Sequence, residues 1–534
     1  MRLRIAIVAA VLALLPPAAL GQDNTIAPFG IRPTAMSLGR LLKLHAAAVG
    51  KLAPGMQKTR IESWSYKDGG LNGTVSVLIH GDDQRIDTQL APFHFASGTY
   101  RGQDWEQNEN GQTHLVSGVH QRDAVDRKAL AQPSAFAGGV TLLGEVSTPK
   151  PAYVVRVAPP GGRVAYLFYD RANFLIVRTE RAVRQDRIVT TYDDFRTTSG
   201  RTEAWHIQTS NGKPEDDTDS QLQSLQVGVA IDPAKFAIPR DAQSPASFSA
   251  TRLSLPVTID ADRIILKTQI QGRKVDFQLD SGASGILLDR SIAEALKIPL
   301  YGKLSEVTTG EYKVSRAIVP AITFGGVSLD NIAVETAPFH WYTSDGTPIA
   351  GLMGYDFLDS CVVHIDYIDG TVEALAPSSF APPAGAIALP VRLDDMVPAI
   401  SAQIGSSVGE NFVLDTGADR SLLFSEFVNA HPHDTLDQGL GEEITDSFPF
   451  VEQSSGVGGD ISIRPVQVSG LDLGRLHFSR WLFHVTEQPN SFNQEDYDGL
   501  IGQDVLRNFD VYLDYAHSTI YLVPNDRYRQ RWGS

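Results

Sequence analysis

Four short phrases occur twice from residue 255 onward, in the same order. Leu255–Asp260 reads LPVTID and Leu389–Asp394 reads LPVRLD, an offset of 389 − 255 = 134. LDSGA at Leu279–Ala283 returns as LDTGA at Leu414–Ala418, with the aspartates 415 − 280 = 135 apart. GLMGYDFL at Gly351–Leu358 returns as GLIGQDVL at Gly499–Leu506, offset 499 − 351 = 148. Ile365-Asp366-Tyr367 and Leu513-Asp514-Tyr515 close each copy, also 148 apart. The second copy is therefore 148 − 135 = 13 residues longer in its middle. Such a repeat demands two similarly folded units, joined here through the Pro-rich stretch Ala376–Gly385.

Within each copy the pattern is that of short strands. Arg263–Leu279 reads as two strands around Gln271-Gly272, and Ala402–Leu414 as two around Gly405–Gly409. Cys361–Tyr367 and Ile368–Leu375 predict a hairpin turning at Asp369-Gly370, with Val511–Val523 as its counterpart. Arg290–Leu296 and Ser425–Ala430 predict a short helix after each Leu-Leu pair. The 46 glycines and 30 prolines suit many turns, and 42% hydrophobic residues suffice for buried cores.

The repeated aspartate phrase carries the chemistry. A strand delivers the Asp to a tight turn, where Gly permits a positive φ or a close approach of other atoms. The neighbouring hydroxyl can bond backbone groups and hold the loop. If the two turns meet across a two-fold axis, the carboxylates lie side by side and share one proton. The ionised member then takes a proton from water while the protonated member donates to a carbonyl oxygen. An Asp-Ser/Thr-Gly triplet arises by chance about 0.3 times in a chain this long. Two copies in register within a four-part repeat are a different matter.

From about Ser254 to the C-terminus the chain resembles the aspartic proteases. LDTGAD at Leu414–Asp419 is similar to the retropepsin motif, and LDSGAS at Leu279–Ser284 is a close variant. Leu352-Met353-Gly354 and Leu500-Ile501-Gly502 supply the apolar-apolar-Gly strand that backs the catalytic loop in that family. The resemblance implies a mainly β, two-lobed aspartic-protease β-barrel fold in one chain. It also implies Asp280 and Asp415 as the catalytic dyad, with Ser281, Gly282, Thr416 and Gly417 holding them. Covering flaps are expected at Thr308–Val314 and Ser454–Ile461, with Gly310, Tyr312, Gly456 and Gly458 as candidates. Tyr312 reads either as a pepsin-type flap tyrosine or as an exposed loop residue. Retropepsins carry Arg after the third-landmark Gly, where this chain has Tyr355 and Gln503. Arg420 or Arg507 is a candidate replacement partner for Asp419.

Other chemistries lack their markers. His431-Pro432-His433-Asp434 is the nearest approach to a metal-spaced cluster and reads as a surface loop. No G-x-S-x-G elbow or P-loop lysine appears, and Cys361 lies in an apolar run that predicts a buried thiol. No metal or cofactor is expected. A net charge of −16 and the lack of a basic stripe argue against a nucleic-acid partner.

The first part of the chain follows other rules. Arg2 and Arg4 precede the apolar run Ile5–Leu15, Pro16-Pro17 break it, and Ala19-Leu20-Gly21 offers a cleavage site. Residues 1–21 thus read as a signal peptide, too short and broken for a membrane span. With one cysteine, an exported chain forms no internal disulfide. Ser37–Val49 predicts a helix, and Thr74–Ile79, Tyr153–Val157 and Arg187–Tyr192 predict strands. The long alternating stretches from Phe168 to Gln208 are similar to the curved half-barrel sheets of LolA-type periplasmic lipoprotein carriers. Such a sheet could hold an acyl chain or an extended peptide; one that assists folding or shields the cleft is the alternative.

The expected organisation is a signal peptide (1–21), a β-rich accessory domain (22–238), a linker (239–251) and two lobes (252–380 and 381–534). The expected function is an exported, periplasmic or extracellular, monomeric aspartic endopeptidase acting on peptides or proteins. The rival is a non-catalytic periplasmic lipid- or peptide-binding protein with a protease-like cleft.

Overall fold

The alternating and turn-rich patterns of the sequence become four β-sheets in a computed structural model. It describes residues 30–53, 55–116, 120–131, 138–183, 186–240, 245–435, 452–486 and 496–532. The signal-peptide segment lies outside the described residues. None of the described helices is long and apolar enough to cross a membrane. The chain forms two compact units: one comprises Asp241–Ser534 together with Asn110–His114, the other the remainder up to Arg240.

The unit of the leading residues is built on a thirteen-stranded sheet. Its seam is the antiparallel pair Thr59–Asp68 and Thr218–Val227, with Trp64 opposite Leu222. From that seam the strands run in meander order to Thr113–Leu115 at one end and Val140–Val146 at the other. Among the described residues the two end strands do not pair with each other. Leu38–Val49 is the predicted helix, with the Ser37 hydroxyl accepting from Arg40 N at its start. Its Leu41 is fully buried against Tyr153, Val155 and Leu167.

In the other unit each sequence copy becomes a sheet of the same plan. In the first, Arg263–Ile270 and Arg273–Leu279 form the hairpin ahead of Asp280. Gln271 and Gly272 both have positive φ (50° and 79°), which suits the twist of a two-residue hairpin turn. Arg273–Leu279 then pairs in parallel with Ile349–Met353, which also pairs with Ile286–Asp289. The second copy repeats this with Ser407–Leu414, Gly499–Ile501 and Leu422–Leu423. Its hairpin turn is Gly405-Ser406, shorter than the Gly405–Gly409 span expected, because Ser407–Gly409 already pair with Ala402–Ile404.

A six-stranded sheet joins the lobes. The closing hairpins Val362–Asp366/Thr371–Leu375 and Phe509–Asp514/Thr519–Pro524 meet edge to edge, with Val363 opposite Leu513 and Ile365 opposite Val511. One continuous apolar cluster runs through both lobes, from Phe277 and Leu279 through Val363 and Ile365 to Leu414, Leu513 and Leu522. Cys361 is buried in it, and burial pushes its thiol pKa up. The stretch expected as a linker contains a short strand, Ala246–Phe248, paired with Val327–Leu329. Ala246 is buried there, so a Pro/Ser/Ala composition read as coil conceals one strand that packs on the core.

Candidate functional site

Each aspartate follows the last residue of its strand, and the backing strand fixes it. Asp280 N donates to Met353 O (3.0 Å) and Asp415 N to Ile501 O (2.9 Å). The two turns then grip one another through their hydroxyls. Ser281 Oγ donates to Leu414 O (2.7 Å) and accepts from Thr416 N (2.9 Å). Thr416 Oγ1 donates to Leu279 O (3.2 Å) and accepts from Ser281 N (2.9 Å). Both hydroxyl residues are fully buried, so this four-bond lattice is shielded from water.

The glycines solve a problem of space. A Cβ on Gly282 would lie 2.6–2.8 Å from the Asp415 carboxylate, and one on Gly417 2.4–2.5 Å from that of Asp280. Neither residue has a positive φ. Of the two uses of Gly expected at these turns, close approach is the one in force. Each carboxylate rests over the backbone of the opposite turn.

Their environments are unequal. Asp415 Oδ1 accepts from Gly417 N (2.7 Å) and Ala418 N (3.1 Å), whereas Asp280 Oδ1 accepts from Gly282 N (2.9 Å). Burial raises the pKa of both acids, and the neighbouring Asp415 charge drives Asp280 further, well above the usual carboxylate range. Asp415 thus has the more backbone donors, and Asp280 the higher pKa of the two. Tyr515, whose hydroxyl lies 3.5 Å from Ser281 O, is kept neutral by burial and by both acidic charges.

In the second lobe the residue after the third-landmark Gly supports the aspartate turn. Gln503 Nε2 donates to Thr416 O (2.7 Å), which lends side-chain support beneath the second turn. Gln278 Nε2 crosses to Gly417 O (2.9 Å). Of the two arginines considered for Asp419, Arg420 lies 3.7 Å from its carboxylate, while Arg507 instead pairs with Asp262 at 2.5 Å. One residue further along, Asp356 Oδ2 accepts from Ile286 N (2.9 Å) and Asp504 Oδ1 from Ser421 Oγ (2.7 Å). These acids recur at 504 − 356 = 148 inside the repeated phrase. Their recurrence was the available signal for a backing role; nothing comparable marks Gln278 or Gln503.

Hairpins cover the candidate flap positions in both lobes. Leu300–Val307 and Glu311–Phe324 turn at Thr308–Gly310, and Glu452–Gly456 and Gly459–Leu473 turn at Val457-Gly458. The tips touch: Gly458 N donates to Thr308 Oγ1 (3.2 Å). A Cβ on Gly310 would meet Gly458 O at 2.3 Å, and one on Gly456 would meet Thr309 at 2.2 Å. Val457 of the second hairpin packs with Leu304, Tyr312 and Trp341 on the first lobe's smaller apolar cluster. Tyr312 is thus half-buried, not an exposed loop tyrosine. Burial first, then Glu306 and Glu335, hold its hydroxyl pKa well above 10. Asp434, in the histidine-containing stretch, accepts from the hydroxyls of Ser406 (2.7 Å) and Ser407 (2.6 Å) and holds that turn.

Residues 266–357 match a protein-family model described as aspartyl protease. The match runs from the strand before the first aspartate turn through its backing phrase. No curated protein sequence matches the chain. Among solved structures, a DUF1329 family protein from Desulfovibrio piger is similar at 14% identity over 37% of this chain and 94% of its own, with a TM-score of 0.28. A LolA superfamily protein from Nitrosomonas europaea is similar at 14% identity over 38% of this chain and 98% of its own, also with a TM-score of 0.28.

Proposed function

We propose that this chain is an exported aspartic endopeptidase in which Asp280 and Asp415 share one proton and activate water. The observation that carries the reading is the mutual seating of the two acids, each against the opposite turn's glycine, with the Asp415 charge raising the pKa of Asp280. Asp415, with two backbone N–H donors on one oxygen, acts as the base that takes a proton from the bound water. Asp280 carries the shared proton and gives it to the oxygen of the scissile carbonyl. Water attacks the carbonyl carbon and a tetrahedral diol forms; the proton gained by Asp415 then passes to the leaving amine as the C–N bond breaks, while a diol hydroxyl returns its proton to Asp280 as the carbonyl re-forms. No covalent enzyme intermediate arises, and the pair ends with one proton, as it began. The flap hairpins would close over an extended peptide and exclude solvent from it. Export rests on the basic, apolar and small-residue pattern of residues 1–21.

The test is hydrolysis of a peptide library across acid and neutral pH by the wild type, Asp280→Asn and Asp415→Asn. The wild type should cleave, and each variant should lose activity by about a thousand-fold or more. A wild type inert across that range would sink the enzyme reading and favour the binding-protein alternative. Full activity in either variant would sink the shared-proton pair.

A further inference from the structure

The two aspartate turns are backed by equivalent acids, but the first acid has an additional partner. Asp356 is 3% exposed; one of its oxygens holds Ile286 N, six residues beyond Asp280. Its other oxygen accepts from Asn110 Nδ2 at 2.7 Å. Asn110 belongs to the short segment Asn110–His114, which clusters with the lobes although it lies more than two hundred residues from Asp356 in sequence. The same carboxamide bridges both backbone groups of Ala333: Nδ2 donates to Ala333 O (3.0 Å) and Oδ1 accepts from Ala333 N (2.9 Å). Gln112 anchors the segment a second time, donating to Asp359 Oδ2 (3.0 Å). Gln112 itself is 1% exposed.

Among the described residues, the second lobe shows no counterpart. The registers Leu287–Glu335 and Leu422–His484 relate the two lobes by 484 − 335 = 149 at this strand, so Ala333 corresponds to Leu482. Ala333 is buried at 6% exposure, whereas Leu482 stands 49% exposed. Behind the second turn, Ser421 supplies a hydroxyl that holds Asp504 and also accepts from Gly502 N (3.0 Å). At the equivalent place the first lobe has Ile286, which offers only its backbone N–H.

We infer that Asn110 is a positioning residue for the proposed hydrolysis: it locks Asp356 against the Asp280 loop, where the second lobe uses the Ser421 hydroxyl and the first has Ile286. The inference rests on the aspartic-endopeptidase reading for its consequence in turnover. The lock itself is readable apart from turnover, because it fixes the Ile286 amide. A buried carboxylate oxygen deprived of its donor seeks another partner, and the bond on its sister oxygen loosens with it.

The test compares wild type with Asn110→Ala by amide hydrogen exchange, by kcat and KM on a cleaved library peptide, and by thermal unfolding. The expected result is exchange at Ile286 faster by about ten-fold, with kcat about ten-fold lower and KM within about two-fold. Unchanged exchange at Ile286 overturns the lock. Faster exchange with unchanged kcat overturns the positioning role and leaves Asn110 a structural residue. An inert wild type would count against the hydrolase reading and so against the positioning role, while the exchange result would still decide the lock. Asn110→Ser, which retains a hydroxyl but cannot span Asp356 and Ala333 together, gives the same comparison if the alanine variant does not fold.

Discussion

At the scale of single residues, the site is a matter of which atoms are allowed to be close. Gly282 and Gly417 are required because any side chain there would strike the opposite carboxylate. That closeness, together with burial, raises the proton affinity of Asp280. A carboxyl whose folded pKa is raised stabilises the fold below its unfolded value, and that contribution is lost as pH rises through the folded value. Stability of the wild type should therefore fall, relative to Asp280→Asn, as pH climbs from the ordinary carboxylate range to the raised value of Asp280. Thermal unfolding of both proteins across that window measures the difference. Peptide hydrolysis should fall over the upper part of the same window, because the pair then holds no proton to donate. Parallel stability curves for the two proteins would contradict the assignment. The pairing of the two aspartate turns through their hydroxyls was legible in the sequence because strand, acid, hydroxyl and glycine are contiguous. Gln503 was visible only as a missing arginine. Its bond to Thr416 O joins residues 87 apart, a distance no local pattern encodes.

At the scale of elements, the repeat was legible because each landmark is a strand or turn that must recur if the backing of the aspartates recurs. Ser425–Ala430 forms the expected helix, and Val362–Asp366 and Thr371–Leu375 form the expected hairpin. The flaps were legible as glycine-rich hairpins, but not their meeting. Tip contact depends on the lengths of two hairpins whose strands run from Leu300 to Phe324 and from Glu452 to Leu473. A Cβ on Gly458 would lie 2.0 Å from Gly310 O, too close for the tips to remain as they are. Gly458→Ala should therefore hold the hairpins apart and lower kcat/KM by about ten-fold or more, mostly through closure over substrate. The fold should be little affected, since the tip is remote from the main core. Steady-state kinetics beside a thermal unfolding curve separates the two effects. A variant with wild-type kcat/KM would show that closure tolerates the added methyl and that the tips need not touch in turnover.

At the scale of the whole molecule, the two copies are not two independent lobes. The strands Val362–Asp366 and Phe509–Asp514 pair directly, and one apolar cluster continues from one copy into the other. The two-fold pairing of the aspartates depends on this, because Ser281 bonds Leu414 O and Thr416 bonds Leu279 O only while the lobes hold register. The sequence revealed two similar units but could not reveal a shared core, because apolar strands of either lobe look alike whether they pack within a lobe or across the seam. The consequence is cooperative. Leu513 is fully buried in the joining sheet, opposite Val363 of the first lobe. Leu513→Ala should cost about 2–5 kcal/mol, the range for a large core side chain cut to methyl. If the lobes share one core, that loss is felt on both sides of the seam. Hydrogen exchange of the first-lobe strands Arg263–Ile270 and Arg273–Leu279 should accelerate together with that of Ser407–Leu414. Acceleration confined to the second lobe would mean that each copy folds on its own and that the dyad is assembled by docking of preformed halves.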